Sequence, residues 1–260
     1  MSNHPKIIWH RCNSTGMFLR SLADKNISGI EFDISATKDN VPILFHDKIV
    51  EKQISSIDDN GSYVFDVPDF LMEISSLSFE ELHKIRPDLD RLEDALAAID
   101  KEIIPSDFEF HLEIKPYDTR LCDAVFSMLS SYPLVDEKTI PRSFQPGNLI
   151  HIKKQYPSRR ICLLLDDVTY VDHLTEVEKL EYKIAREKLP ENIEEIIKIC
   201  GGYKPEYISV RFNMLTDEFV SLMQKEGVRL DVYTLNDLDD LKCQLPEGVV
   251  TDRPENILDK

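Results

Sequence analysis

Residues 29–34 read Gly-Ile-Glu-Phe-Asp-Ile, and this stretch decides the fold. In an extended strand its apolar side chains share one face, whereas Glu31 and Asp33 share the other. Residues 108–115 repeat the pattern, with apolar residues facing helices and polar residues facing inward. The inward residues of this second stretch are Glu109, His111, Glu113 and Lys115. Both polar faces are therefore expected to converge on the interior of one closed barrel.

Short apolar runs of this kind recur along the chain and alternate with longer helical patterns, which is typical of βα units on a parallel sheet. Eight strands are predicted, at residues 6–10, 29–35, 108–115, 139–143, 161–165, 206–211, 229–234 and 247–250. Helices are predicted at 16–26, 77–85 with 91–101, 118–131, 146–155, 190–200, 216–226 and 236–242. This order predicts an α/β protein built on a (β/α)8 TIM barrel, which commonly uses about 250 residues. Residues 1–260 are therefore expected to form a single domain.

One further extended segment, Val41 to His46, breaks this alternation. Only about five residues separate it from the second predicted strand, whereas a parallel crossover needs a dozen or more. The two runs must therefore pair as an antiparallel β-hairpin, with the turn-forming residues Lys38-Asp39-Asn40 at its tip. We place this hairpin over the mouth of the barrel and do not count it as a ninth wall strand.

The composition excludes several classes of protein. Lys and Arg number 31 against 48 Asp and Glu, so the formal net charge of −17 disfavours a nucleic-acid partner. The five scattered cysteines indicate a reducing compartment, and the cytoplasm is the expected location. No apolar run reaches the roughly 18 residues of a membrane span. The Glu- and Lys-rich stretch 166–195 is expected to be an exposed helix or a mobile loop.

Three carboxylates are predicted to face the barrel interior, those of Glu31, Asp33 and Glu113. At about 5 Å and an effective dielectric constant near 20, each pair of like charges costs on the order of 3 kcal/mol. A divalent cation would relieve this repulsion, and an all-oxygen site favours Mg²⁺ or Ca²⁺. The alternative is a cluster that is protonated or paired with Lys115.

Two histidines are predicted at the carboxyl-terminal mouth, where barrels keep their active sites. His10 ends the first strand and His46 ends the hairpin. Two imidazoles beside a carboxylate cluster can act as the base and the acid of one displacement. Arg11 offers a planar guanidinium that can bind a phosphate through two hydrogen bonds, although an ordinary surface arginine is the alternative.

Eight short motifs follow one another along nearly the whole chain. They are His10-Arg11, Glu31-Phe32-Asp33, Thr37 to Asp47, Leu92-Glu93-Asp94-Ala95-Leu96, Leu112-Glu113-Ile114-Lys115, Ser143-Phe144, Val232-Tyr233-Thr234-Leu235-Asn236-Asp237 and Val250-Thr251-Asp252-Arg253-Pro254. Together they resemble the glycerophosphodiester phosphodiesterase family, part of the phospholipase C-like phosphodiesterase superfamily.

The resemblance implies a metal-dependent phosphodiester hydrolase that acts on glycerophosphodiesters or on related small or lysolipid phosphodiesters. It implies that one divalent cation is held by Glu31, Asp33 and Glu113. It also implies that His10 and His46 form the acid–base pair and that Arg11 and Lys115 bind the phosphate. Two alternatives stay open: a lyase that forms a cyclic phosphate, and an inactive barrel that binds a phosphorylated ligand.

The chain also departs from the family pattern in its first loop. Cys12 replaces a glycine, and Asn13 is expected to stand in for a missing asparagine further along. The compact His-x-x-Asn opening looks more like the phospholipase D toxins of spiders and certain bacteria. Tyr233 and Asn236 are expected to line the substrate pocket. Cys12 is better explained as a small buried residue than as a nucleophile.

Overall fold

The computed structural model describes residues 5–51, 55–57, 63–65, 71–115, 117–167, 185–186 and 188–258. Its strands are β1 (Lys6–Trp9), β2 (Gly29–Ala36), β3 (Pro42–Leu44), β4 (Ile49–Glu51), β5 (Ser55–Ile57), β6 (Tyr63–Phe65), β7 (Leu71–Glu73), β8 (Glu109–Ile114), β9 (Thr139–Ser143), β10 (Cys162–Asp167), β11 (Ala185–Arg186), β12 (Tyr207–Arg211), β13 (Arg229–Tyr233) and β14 (Gly248–Thr251). Its α-helices are α1 (Thr15–Ala23), α2 (Phe79–Ile85), α3 (Leu92–Ile99), α4 (Thr119–Leu129), α5 (Pro133–Lys138), α6 (Pro146–Gln155), α7 (Ile193–Ile199), α8 (Asp217–Glu226) and α9 (Pro254–Leu258).

Eight parallel strands close into a barrel. Their order around the wall is β1, β2, β8, β9, β10, β12, β13 and β14, and β1 pairs with both β2 and β14. α-Helices lie between successive wall strands in the chain, except between β13 and β14. The predicted TIM barrel is therefore confirmed. The predicted helix 236–242 is wrong, because that segment forms only a short 3₁₀ turn, Leu238–Asp240, whose first residues are capped by the Asp237 side chain.

The predicted hairpin is also confirmed. Strand β3 runs antiparallel to β2, with Ser35 opposite Ile43. The turn residue Asn40 has a φ of 59°, a left-handed conformation that asparagine tolerates better than most residues. The Thr37 hydroxyl accepts a hydrogen bond from the Val41 amide and fixes the tip of the hairpin. Because the hairpin leaves the wall at the end of β2, it carries the residues that follow it to the carboxyl-terminal mouth.

The two faces of β2 have the predicted environments. Phe32 is buried on the outer side, and its ring lies 4.8 Å from that of Phe18 in α1. Glu31 and Asp33 are buried on the inner side, where they are 2% and 1% exposed. The helices therefore cover the apolar face of the strand, and the carboxylates have nowhere to lie except inside the barrel.

An ion-pair network fills the amino-terminal end of the barrel interior. The Glu109 carboxylate accepts hydrogen bonds from Arg229 at 2.6 and 2.9 Å, from Lys6 at 3.0 Å and from the Tyr207 hydroxyl at 3.2 Å. Burial raises the pKa of Glu109, but His111, Arg229 and Lys6 outweigh that effect and hold the pKa well below its usual range. The buried charge of Glu109 is thus compensated by the cations around it.

Gly29 is required where β2 approaches β8. A Cβ atom at this position would lie 2.5 Å from the backbone carbonyl oxygen of Glu109. The Gly29→Ala variant should therefore lower the free energy of unfolding by about 1–3 kcal/mol, the usual effect of overpacking. Gly16→Ala is the matched control, since Gly16 lies in α1 with nothing within 4 Å of the added carbon. The control should be neutral or slightly stabilising in urea unfolding. An equal loss in both variants would contradict the close approach.

Part of the chain predicted to be an exposed helix or a mobile loop, residues 168–184, lies outside the described residues. The predicted stretch begins at Asp166, and there the prediction is wrong. Strand β10 extends through Asp167, and Asp166 is buried. Among the described helices, none combines the length and the hydrophobicity that a bilayer crossing requires.

Candidate active site

A cavity of about 260 Å³ opens at the carboxyl-terminal ends of the barrel strands. The wall strands and the loops that follow them each contribute side chains to it. The lining residues are His10, Arg11, Glu31, His46, Glu113, Lys115, Arg142, Phe144, Leu164, Asp166, Arg211, Phe212, Tyr233, Thr234 and Val250. The cavity is at the end of the barrel where the sequence places the site.

The three predicted carboxylates meet at this cavity. One oxygen from each of Glu31, Asp33 and Glu113 lies within 4.8 Å of the others. Lys115 contacts two of the three, with its Nζ 3.0 Å from Asp33 Oδ1 and 2.8 Å from Glu113 Oε1. Glu31 Oε1 is buried and has no hydrogen-bond partner among the residues that the structure describes. Pairing with Lys115 therefore leaves Glu31 Oε1 without any partner in the described part of the chain.

The electrostatics of Glu31 show the same imbalance. Burial raises its pKa to about 8, and the neighbouring Asp33 and Glu113 add to the effect. A buried carboxylate surrounded by like charges is stabilised in its ionised form by a cation. The donor set is entirely oxygen, so these residues fit a hard divalent cation such as Mg²⁺ or Ca²⁺.

His10 is held from both sides. Its Nδ1 lies 2.7 Å from Asp252 Oδ1, and its Nε2 lies 3.8 Å from Glu31 Oε2. Burial lowers the pKa of His10, and the hydrogen bond with Asp252 works against that shift. The Asp252 carboxylate accepts a hydrogen bond from Nδ1–H, which keeps the proton on Nδ1 and leaves the lone pair on Nε2 directed to the interior. Asp252 follows β14, the neighbour of β1 in the barrel wall.

His46 has a similar arrangement on the hairpin side. Its Nδ1 lies 2.7 Å from Asp47 Oδ1, and its Nε2 lies 2.7 Å from Nη2 of Arg11. Arg11 has a φ of 52°, an unfavourable backbone conformation for a residue with a side chain. In that conformation its amide donates a hydrogen bond to Glu31 Oε2 at 3.0 Å. The turn after β1 thus brings both imidazoles, an arginine and a carboxylate to one cavity.

The remaining predicted residues occupy different positions. Tyr233 lines the cavity, and its hydroxyl donates a hydrogen bond to the Leu165 carbonyl oxygen. Asn13 and Asn236 do not line it. Asn13 exchanges two hydrogen bonds with Asp33, at 2.9 and 2.8 Å. Asn236 donates to Asp252 Oδ2 at 3.1 Å, so its contact is with the partner of His10.

Sequence reasoning assigned no role to three residues that line the cavity, Asp166, Arg211 and Arg142, or to Asp252, which bonds to His10. Asp166 and Arg211 form an ion pair at 3.2 Å on the side of the cavity away from the histidines. Asp252 belongs to a quoted motif, but nothing in the sequence indicates a contact with His10. Arg142 lies on β9, where the alternation of polar and apolar residues is mixed. Ile140, Arg142 and Phe144 share one face of the strand, so assigning that face to the interior would have placed Arg142 in the barrel.

A sequence model of the glycerophosphoryl diester phosphodiesterase family matches residues 13–256. The chain belongs to this family. It is therefore a phosphodiesterase of the hydrolase class, within the phospholipase C-like superfamily. No curated protein sequence matches it.

Solved structures of family members share the barrel. A glycerophosphodiester phosphodiesterase from Parabacteroides distasonis has a TM-score of 0.68 at 16% identity, covering 100% of this chain and 97% of that one. The enzyme from Thermotoga maritima has a TM-score of 0.63 at 18% identity, covering 100% and 99%. A phosphodiesterase from Oleispira antarctica, solved with the product sn-glycerol-3-phosphate, has a TM-score of 0.67 at 16% identity, covering 98% and 96%.

Proposed function

We propose that this phosphodiesterase hydrolyses glycerophosphodiesters, or related small or lysolipid phosphodiesters, to a phosphomonoester and an alcohol. The observation that carries the proposal is the placement of two carboxylate-paired imidazoles beside a buried triad of carboxylates in one cavity. The Oleispira antarctica relative holds sn-glycerol-3-phosphate, which supports a glycerol phosphate as one product.

His10 and His46 supply the acid–base chemistry of the proposed reaction. Each has its Nδ1 bonded to a carboxylate, Asp252 or Asp47, so Nε2 is the nitrogen that can exchange a proton. Nε2 of His46 is contacted by Arg11 at 2.7 Å and becomes available when Arg11 turns to a bound phosphate. One imidazole takes the proton of the attacking hydroxyl, and the other gives a proton to the departing oxygen. Because the two rings stand on different elements, they can act on opposite sides of the phosphorus atom.

Glu31, Asp33 and Glu113 are the residues that would hold a divalent cation, Mg²⁺ or Ca²⁺. When bound, such a cation stabilises negative charge that develops on phosphate oxygens. Lys115 and Arg11 line the same cavity and present cationic donors to a phosphodiester. Lys115 is anchored by Asp33 and Glu113, which fixes the position of its ammonium group.

Product identification tests the proposal. The purified enzyme is incubated with Mg²⁺ and a panel of glycerophosphodiesters and lysolipids, and ³¹P NMR follows the phosphorus. An open-chain phosphomonoester is the expected product. A cyclic phosphate would instead show that the enzyme is a lyase, the alternative suggested by the compact turn from His10 to Asn13. If no diester is converted, the remaining alternative is an inactive barrel that binds a phosphorylated ligand.

Asp252 is expected to hold His10 in its reactive tautomer. In Asp252→Asn the side-chain amide can donate to Nδ1, which moves the imidazole proton to Nε2 and blocks proton acceptance there. We expect turnover to fall about 10²- to 10⁴-fold, because the wrong tautomer of a general-base imidazole cannot accept the proton. Asp240→Asn, on an exposed turn, is the control and should keep full turnover. Steady-state kinetics that leave Asp252→Asn equal to the control would contradict this role.

A further inference from the structure

Arg142 is a buried cation at the floor of the cavity. It lies on β9, opposite Glu113 of β8 in one direction and Cys162 of β10 in the other. Only 2% of its surface is exposed, and its side chain lines the cavity. A guanidinium removed from water to this extent requires compensation by an anion or by hydrogen-bond acceptors.

Burial lowers the pKa of Arg142 and the nearby Cys162, Glu31, Asp231 and Glu113 raise it above its usual range, but among the described residues no carboxylate contacts the guanidinium directly. Arg142 forms no ion pair with any of them, its Nε has no hydrogen-bond partner, and its Nη2 contacts only the Cys162 sulfur, at 3.8 Å. Arg229, the other arginine of the barrel interior, has Glu109 at 2.6 Å and Asp231 at 3.2 Å. The fold therefore supplies direct carboxylate contacts to one interior arginine and withholds them from the other.

The charge balance of the floor points to what Arg142 binds. When all three carboxylates are ionised, they face two cations there, Lys115 and Arg142, which leaves one net negative charge. A divalent cation on the carboxylates changes the balance to one net positive charge. A phosphodiester carries one negative charge and would neutralise it. Without Arg142 the loaded floor would be neutral, and its attraction for an anion would be weaker.

We propose that Arg142 is a further phosphate-binding residue, which donates from the cavity floor to a phosphate oxygen of the substrate. The inference rests on the proposed function, because it concerns the anion of the same site. A guanidinium is well suited to this contact, since its planar donors match a pair of phosphate oxygens. Arg142 thus adds a donor at the floor to Arg11 and Lys115.

The alternative is that Arg142 only balances the charge of the carboxylates, and Arg142→Lys separates the two roles because it keeps the charge and loses the planar donors. Removing a positive charge beside the carboxylates leaves Mg²⁺ affinity unchanged or raises it. Removing a phosphate donor weakens phosphate binding. A variant that is merely misfolded weakens both. Calorimetry with Mg²⁺ alone, and then with inorganic phosphate on the Mg²⁺-saturated protein, separates these cases.

The variants are Arg142→Gln and Arg142→Lys, with Lys154→Gln as the matched control, because Lys154 is an exposed residue of α6 and its loss changes the net charge equally. We expect the phosphate Kd to rise about 10- to 100-fold in Arg142→Gln, the range of one charged hydrogen bond. Mg²⁺ should bind at least as tightly as in the wild type. Arg142→Lys keeps the charge but loses the planar fork, so its phosphate Kd should rise at least about threefold.

Several results would overturn the assignment of Arg142. They are no phosphate binding by the wild type, a phosphate Kd in Arg142→Gln within about twofold of the wild-type value, or a joint loss of Mg²⁺ and phosphate binding. An unchanged phosphate Kd in Arg142→Lys would also overturn it, whether or not the glutamine variant folds. Diester turnover by the wild type is measured separately. If the wild type turns over no diester, the proposed function is wrong. If the Arg142 variants bind phosphate as the wild type does, only the role of Arg142 is wrong.

Discussion

Replacing either cavity histidine should nearly abolish turnover. We expect His10→Ala and His46→Ala each to lower kcat about 10²–10⁴-fold, the usual contribution of a general acid or base. His10 presents Nε2 because Asp252 holds its Nδ1, and His46 does so once Arg11 turns to the phosphate, because Asp47 holds its Nδ1. Each substitution removes one of the two proton transfers, so the loss should appear in kcat and persist at saturating substrate.

His151→Ala is the matched control for the histidine variants. His151 also pairs with a carboxylate, with Nε2 2.7 Å from Asp123 Oδ1, but it lies on α6 outside the cavity. It should keep wild-type turnover. The acid–base assignment would be wrong if both cavity variants stayed within a few-fold of the wild type on an accepted diester.

Removal of divalent cations should have the second large effect. Chelation should abolish turnover, and Mg²⁺ or Ca²⁺ should restore it. A cation that binds only the folded chain also stabilises it, by about 2.7 kcal/mol at a concentration one hundred times its Kd. For a chain of this length that corresponds to a rise in Tm of roughly 5–10 °C. The unsatisfied Glu31 Oε1 in the buried carboxylate triad is the structural reason.

Glu31→Gln tests the same site by a different route. Glutamine has nearly the same shape and can still accept the hydrogen bond that the Arg11 amide gives to Glu31 Oε2. The variant should therefore fold but lose both turnover and the rise in Tm with added cation. Glu80→Gln removes an exposed carboxylate on α2 and should respond to cation as the wild type does. Equal melting of the wild type with chelator and with saturating cation would argue against a cation site.

The barrel and its polar interior could be predicted because they depend on local patterns. The alternation around Glu31 and Asp33 fixes which face of β2 is inward, whatever the strand's neighbours are. The hairpin could be predicted from the length of one linker, since the segment before Val41 is too short for a parallel crossover. These inferences need no knowledge of distant contacts.

The contacts within the site could not be predicted in the same way. Asn236 was expected to line the pocket, but its amide is bonded to Asp252, a contact set by how β13 and β14 lie side by side. Its role toward substrate stays a prediction. Arg142 has polar neighbours in the sequence, such as Ser143, so periodicity does not show which face of β9 is inward. Its position depends on the register with Glu113.

Barrel closure also has a consequence for biosynthesis. His10 and Asp252 are 242 residues apart in the sequence, and they meet because β1 lies against β14. A ribosome that adds about 5–20 residues per second would produce Asp252 on the order of 10–50 s after His10. During that interval the nascent chain can contain all three carboxylates while the imidazole still lacks its partner. Activity is therefore expected to arrive with the last wall strand and not to grow gradually as the polypeptide lengthens.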